Sequence, residues 1–140
     1  MKRTKCLLML LLCVLLSCNS QKNAAKSAET PISITDREWK AIVIENEKLE
    51  QLTTDKLPAL KLSEGKVTGF SSCNRMHGTY TMEKDKITFS QMAVTKMLCV
   101  DTQEIESKFL KALSEVKSWK EEKGKLHLLN ENKQVIIIFE

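Results

Sequence analysis

The sequence predicts an α+β domain, in which a curled antiparallel β-sheet of about seven to eight short strands forms a partial barrel with one main α-helix packed on it. Three observations predict this class. Short runs rich in β-branched and aromatic residues recur through residues 39–139 and are separated by polar turns. Only residues 101–116 repeat apolar side chains at clear helical spacing. The last run, residues 135–139, is apolar on both faces, as expected for a strand covered from two sides.

The strands are predicted to follow one another mainly as hairpins. Residues 66–70 alternate polar and apolar side chains and should pair back on the preceding strand across the turn at 63–65. Polar residues 83–86 separate a second hairpin in the same way. The predicted strands are 39–44, 57–62, 66–70, 79–82, 87–89, 117–120, 125–129 and 135–139.

The helix has recognisable start signals and one apolar face. Asp101 is the predicted N-cap, and Glu104, three residues later, completes a capping box. Glu104 and Lys108 should form an i,i+4 ion pair on the exposed side. The predicted buried face consists of Ile105, Phe109, Ala112, Leu113 and Val116.

The N-terminal residues predict export and lipid anchoring. Lys2, Arg3 and Lys5 precede an apolar run over residues 6–16, which is too short to cross a bilayer as a helix but suits a secretory signal. The run ends in LLSC at Cys18, which resembles a bacterial lipobox, where the cysteine is lipidated and begins the mature chain. We therefore expect a signal peptide over 1–17; an ordinary cleaved signal or a retained anchor are the alternatives.

The rest of the chain divides into a tether and one domain. Residues 18–34 are small and polar, and we expect a flexible tether there. Residues 35–140 suffice for a single domain. The whole chain has 22 Lys and Arg against 18 Asp and Glu, and the signal removes three basic residues, which leaves 19 against 18. No basic run is interleaved with aromatic residues, so no nucleic-acid partner is expected.

Two motifs and several strands resemble the META domain family. Residues 73–80 read CNRMHGTY, similar to the family's GCN followed by G-x-Y. Residues 92–99 read MAVTKMLC, similar to its MA-x-T-x-MAC. Trp39, PALKL at 58–62 and LHL at 126–128 match strands of the family. The family signature therefore falls on Cys73, Asn74, Arg75, Gly78, Tyr80, Thr95 and Cys99.

The chain departs from the family pattern at two positions. Ser72 stands where glycine usually precedes the signature cysteine, and Leu98 stands where alanine is usual. Either change could alter a tight turn. Gly78 is expected to supply a positive φ after a turn at Asn74. His77 is expected to be an exposed turn residue.

The resemblance implies a function of HslJ-like heat-shock lipoproteins. It implies a role in the cell envelope linked to heat stress and antibiotic tolerance, without a catalytic mechanism or a cofactor. We expect a non-enzymatic protein held to the membrane through lipid on Cys18, with an envelope protein or a lipid as partner. Asn19 after the cysteine favours the outer membrane, facing the periplasm. The alternative is a carrier of an apolar ligand between Phe109, Leu113 and the concave sheet.

Cys73 and Cys99 allow three interpretations. The two remaining cysteines form an even pair in an oxidising compartment, which favours a disulfide. A metal site would use Cys73, His77 and Cys99, with His127 as a fourth ligand for zinc or with Met76, Met92 and Met97 for copper. A nucleophile would use Cys73 with His77 as its base, oriented by Asn74 or Asp101. Cys-x3-His followed by a lone cysteine specifies neither metal nor catalysis, so neither is expected.

Overall fold

The computed structural model describes residues 33–53 and 55–140. The predicted signal peptide over 1–17, the lipidated Cys18 and all but the last two residues of the predicted tether lie outside the described residues. Among the residues described, no helix combines the length and apolar composition needed to cross a membrane. The elements are β1 Glu38–Ile44, β2 Glu47–Lys48, β3 Ala59–Ser63, β4 Lys66–Phe70, β5 Arg75–Glu83, β6 Lys86–Val94, α1 Gln103–Glu115, β7 Ser118–Glu122, β8 Lys125–Leu129 and β9 Val135–Phe139.

The strands close into a ring. From β3 to β9 each strand pairs antiparallel with the next, and β1 pairs with both β3 and β9. The first half of β1, from Glu38 to Lys40, pairs with β3, whereas Ala41 to Ile44 pair with β9. The short β2 is a side arm on the end of β1. The prediction of a curled antiparallel sheet with one helix is confirmed.

The ring is weakest between β6 and β7. These strands share a single residue pair, Lys86 with Ser118. Two backbone bonds extend it, from Ile87 N–H to the Lys117 carbonyl at 3.2 Å and from Trp119 N–H to the Asp85 carbonyl at 2.8 Å. β7 begins at Ser118, shortly after the end of α1, and meets only the start of β6. Along Phe89 to Val94, the described residues that lie beside this edge of β6 belong to α1 and not to a strand.

The helix closes this side of the core. Its buried side chains are Ile105, Phe109, Ala112 and Leu113, as the sequence predicted. The Phe109 ring meets the Phe139 ring edge to face, with centroids 6.3 Å apart. Fully buried Trp39 donates its indole N–H to the Ile34 carbonyl at 2.9 Å. Ile34, placed in the tether by the sequence, is 3% exposed, so the folded domain begins before residue 35.

The predicted helix cap is wrong by one residue. Asp101 is exposed, and the N-cap is Thr102, which makes no side-chain capping bond. The Thr102 hydroxyl instead donates to the Ser72 carbonyl at 3.0 Å, because it is buried against the segment before the signature. The Glu104–Lys108 ion pair is present at 2.9 Å. The Lys108 hydrogen bond lowers the pKa of Glu104.

Strands β5 and β6 are longer than predicted, because the signature lies in a strand rather than in a turn. Gly78 is within β5 and does not have a positive φ, contrary to our expectation. A Cβ at Gly78 would lie 2.5 Å from Met92 Sδ and 2.8 Å from the Ser90 carbonyl. A β-bulge at this point of β6, with Gln91 at φ 51°, brings the two strands that close. Glycine is therefore required for close approach.

Candidate functional site

A disulfide joins the two signature cysteines. Cys73 follows β4 and Cys99 lies in the connection between β6 and α1; their sulfurs are 2.01 Å apart. This is the pairing that the sequence favoured, and it removes the free thiols that the nucleophile and metal interpretations require. Within residues 33–53 and 55–140, no three His, Cys, Asp or Glu side chains are gathered as a metal site. His77 is exposed on β5 and not in a turn.

Asn74 fixes the backbone of the connection between β6 and α1. Its side chain is buried, and its Oδ1 accepts hydrogen bonds from Met97 N–H at 2.7 Å and from the Thr95 hydroxyl at 2.8 Å. Its Nδ2 donates to the Met97 carbonyl at 3.1 Å and to Glu106 Oε2 at 3.1 Å. Every polar atom of this amide is thereby engaged, and Met97 is held at both its N–H and its carbonyl.

Glu106 and Ser71 complete this set, which we call the signature network: Ser71, Asn74, Thr95, the Met97 backbone and Glu106. The Ser71 hydroxyl donates to Glu106 Oε1. Glu106 is in the first turn of α1, so the network ties the helix start to the connection before it. The half-buried Glu106 carboxylate accepts two hydrogen bonds, and these bonds give it a structural role.

The flanking signature positions lock the same region. The Thr95 hydroxyl accepts from Arg75 N–H at 3.1 Å, and Thr95 N–H donates to the Arg75 carbonyl at 3.0 Å. Ser72 has φ 84°, a left-handed conformation that explains why glycine is usual there. Its hydroxyl donates to the Lys56 carbonyl at 2.6 Å. The Arg75 side chain is exposed.

The connection held in this way presents large apolar side chains to solvent. Met97 is 61% exposed, Leu98 77% and Val100 80%, although Cys99 between them is covalently anchored. We call residues 96–100 the apolar loop. Leu98 stands where the family usually has alanine and adds apolar surface to this exposed loop.

Comparison with known protein families identifies the family of this chain. The model of the META domain matches residues 32–140. The chain belongs to the META domain family. The signature network, the disulfide and the apolar loop are therefore features of a META domain.

Three solved structures resemble the META domain of this chain, each over 76% of the chain. An NMR structure of a protein from Burkholderia xenovorans matches over 82% of its length, with a TM-score of 0.60 and 22% identity. A second NMR structure matches over 90% of its length, with a TM-score of 0.59 and 21% identity. A crystal structure of a duf4847 family protein from Bacteroides vulgatus ATCC 8482 matches over 92%, with a TM-score of 0.56 and 13% identity. At these identities the likeness shows the fold. No curated protein matches the chain.

An apolar groove continues from the apolar loop along the helix. We call it the β6–α1 groove, and its volume is about 350 Å³. It is lined by Phe89, Met92 and Val94 from β6 and by Leu110 and Leu113 from α1. A second cleft of about 470 Å³ shares Val94 and Leu110 and reaches Met97 and Leu98. The loop and the groove thus adjoin on this side of the META domain, through a cleft that also has polar lining residues such as Thr95 and Gln103.

Two further residues singled out by the sequence lie elsewhere in the META domain. Tyr80 is half-buried on β5 and packs against the core. His127 is half-buried on β8, and within the described residues its Nδ1 has no hydrogen-bond partner. Desolvation, with a smaller effect of Lys120, lowers the pKa of His127.

Sequence reasoning missed the apolar loop and the groove. A signal for the loop was present, since Met97, Leu98 and Val100 follow no strand or helix period and sit between Lys96 and Asp101. Apolar residues in such a segment are expected either to be buried under it or to be displayed. No comparable signal exists for the groove, because Phe89 ends the predicted strand 87–89, and Met92 and Val94 lie in the motif beyond it.

Proposed function

We propose that this META domain protein is a lipid-anchored, non-enzymatic protein of the bacterial envelope that acts by contact with another envelope protein, in envelope stress or antibiotic tolerance. The lipobox-like sequence ending at Cys18 and the family support it. The short polar segment after Cys18 would keep the domain near the membrane, and Asn19 favours the outer membrane with the domain facing the periplasm.

The exposed, firmly held apolar loop is the observation that carries the contact function. Large apolar side chains on a mobile segment lose freedom when they bind, which weakens association. Here the disulfide and the Asn74 amide have already fixed the backbone on which Met97, Leu98 and Val100 stand. Contiguous exposed apolar surface on a pre-ordered loop is typical of an interaction site.

The signature network supports a role without catalysis. Asn74 and Glu106, the buried amide and the half-buried carboxylate beneath the apolar loop, are engaged with Met97, Thr95, Ser71 and each other. Groups committed in this way orient a backbone and are not poised to transfer a proton to a substrate.

Site-specific photocrosslinking tests the contact in cells. The full chain carries p-benzoylphenylalanine at Leu98, with a matched chain labelled at Glu64, an exposed residue between β3 and β4. A discrete protein adduct from Leu98 that is absent from Glu64 is expected. Adducts only with lipid, or equal adducts from both positions, would contradict a protein partner at the loop. The same chain with Cys18→Ser should lose its membrane fraction and the adduct together.

The second candidate function is a carrier of an apolar ligand, and the β6–α1 groove favours it. The space first expected to hold the ligand, between Phe109, Leu113 and the sheet, is filled by these side chains. The groove beside Leu110 is open and apolar. Native mass spectrometry of gently extracted protein should show a bound lipid that Leu110→Glu removes. A ligand-free protein with no affinity for a fluorescent fatty acid would exclude this function.

A further inference from the structure

Most of one edge of β6 lacks a strand partner within the described residues. β5 pairs with β6 along its whole length, from Lys86 to Val94. On the other edge β7 pairs only at Lys86, with Ile87 N–H bonded to the Lys117 carbonyl. Because alternate backbone groups of a strand point to the same edge, the N–H and carbonyl of Phe89 face the same way as those of Ile87. No strand among the described residues meets them there.

The inward-facing side chains of β6 are also incompletely covered. Ile87 is fully buried, whereas Phe89, Met92 and Val94 further along the strand are only half-buried. Leu60 on β3 and Leu126 on β8, two strands paired along both edges, are fully buried. The partly covered residues are the floor of the β6–α1 groove, and Leu110 forms its helical wall.

We propose that the β6–α1 groove accepts an extended segment of a partner protein, which adds to the open edge of β6 as a further strand. The unpaired edge defines the chemistry of the occupant, since only an extended backbone offers N–H and carbonyl groups at matching spacing. The half-buried floor defines its side chains. Every second residue of the segment is apolar and covers Phe89, Met92 and Val94, while the residues between face solvent.

The dimensions limit the segment to a short peptide. From Thr88 to Val94 the open edge spans roughly 20 Å at about 3.3 Å per residue, which accommodates about six residues of an added strand. The bulge at Gln91 interrupts regular pairing, so the strongest backbone bonds form at Phe89. Beyond Val94 the same segment would reach Met97 and Leu98 of the apolar loop.

This inference rests on the proposed function, since it names the class of partner that contacts the loop. The probe is a peptide of about twelve residues selected from a random phage-displayed library on the mature chain with Cys18→Ser. Selected peptides are expected to alternate apolar and polar residues. Hydrogen exchange measured by NMR should show Phe89 N–H exchanging fast in the free chain and at least about tenfold slower with bound peptide.

Two substitutions in the groove and one matched control separate the groove from other surfaces. Leu110→Glu places a carboxylate in the apolar wall and should weaken binding about tenfold or more. Leu110→Met should leave it nearly unchanged. Phe89→Thr removes part of the groove floor but keeps a strand-forming residue, so it should also weaken binding. It serves as the second test in case Leu110→Glu proves unstable.

Several outcomes would overturn the inference. The first is a library that yields no binders. The second is a bound peptide that leaves the exchange rate of Phe89 N–H unchanged. The third is a free protein in which Phe89 N–H is already protected, either by the chain's own N-terminal segment or by a dimer paired through β6. The proposed function has a separate readout. A Leu98 crosslink without peptide protection at Phe89 would leave the function standing and remove only the added strand, whereas absence of the crosslink would remove the function itself.

Discussion

Asn74 should be the polar side chain on which the position of the apolar loop depends most. Asn74→Ala removes four side-chain hydrogen bonds and leaves both backbone groups of Met97 without their buried partner. We expect the free energy of unfolding to fall by about 2–4 kcal/mol, since each unmet buried group costs about 1–3 kcal/mol. Urea denaturation measures it. A loss below about 1 kcal/mol would show that water replaces the amide.

Substitutions of Ser72 can separate the energetic cost of its left-handed backbone from the stabilisation that its hydrogen bond provides. Ser72→Ala keeps φ near 84° and loses the bond to the Lys56 carbonyl, whereas Ser72→Gly loses the bond but relieves the backbone. We expect the glycine variant to be more stable than the alanine variant by about 1 kcal/mol. Equal thermal midpoints for the two variants would refute this explanation of the departure from the family.

His127 should make stability depend on pH. Desolvation lowers its folded-state pKa below the ordinary 6.5, so on acidification the unfolded chain takes up this proton first. His127 therefore has no effect on the free energy of unfolding above pH 6.5 and lowers it increasingly below that pH. Between about pH 7 and about pH 5.5, His127→Gln should reduce the loss of stability. The exposed His77→Gln is the control and should retain the full loss; parallel curves for all three proteins would contradict the prediction.

The sequence predicted which residues form the signature but not what they do. A motif places Cys73, Asn74 and Thr95 in order along the chain. The role of Asn74 depends on Met97 and Glu106, which lie 23 and 32 residues away and are brought to it by the hairpin and the helix. Such contacts leave no local pattern, and the same limitation led to the wrong expectation for Gly78.

The start of α1 provides a test of the corrected helix cap. Asp101→Ala should change the free energy of unfolding by less than about 0.5 kcal/mol, because Asp101 is exposed and does not cap the helix. Thr102→Val keeps the shape but loses the bond to the Ser72 carbonyl and should cost about 1–2 kcal/mol. Equilibrium denaturation of the two variants should reveal this order. The reverse order would restore Asp101 as the cap.

Strand prediction succeeded where one local signal dominated. Residues 66–70, 125–129 and 135–139 have their predicted limits, because apolar alternation or an apolar run is bounded by polar turns. β5 and β6 extend further than predicted, since the polar signature and the bulge disguise their extended backbone. The two-residue β2 is too short for any periodic pattern and exists because it pairs with the end of β1.

The disulfide should contribute substantially to the stability of the whole domain. It closes a loop with a sequence separation of 26 residues. The chain-entropy model gives about 3.5 kcal/mol for such a loop, so the double variant Cys73→Ala, Cys99→Ala should lose about 2–4 kcal/mol. Calorimetry with and without reductant measures the loss. Reductant should destabilise the wild type and leave the double variant unchanged; a response of the double variant would point to another cause.

The closed ring could be predicted only in part. A curled sheet follows from many short antiparallel strands and one helix, but nothing in residues 39–44 indicates that they pair with both residues 59–61 and residues 137–139. Pairing over such a separation depends on the curvature of the strands between them. The open edge of β6 follows from the same geometry, because β7 pairs with β6 only at Lys86 and α1 lies across a groove from the rest of this edge.

Pairing of the first long strand with the last has a consequence for synthesis. Lys40 and Glu140 exchange backbone hydrogen bonds of 3.0 and 2.9 Å. During synthesis, the edge of β1 that β9 covers has no partner until β9 has left the ribosome. Closure of the ring is therefore a contact of high sequence separation and correspondingly slow. Until it forms, this edge of the nascent chain is open to wrong pairing with other strands.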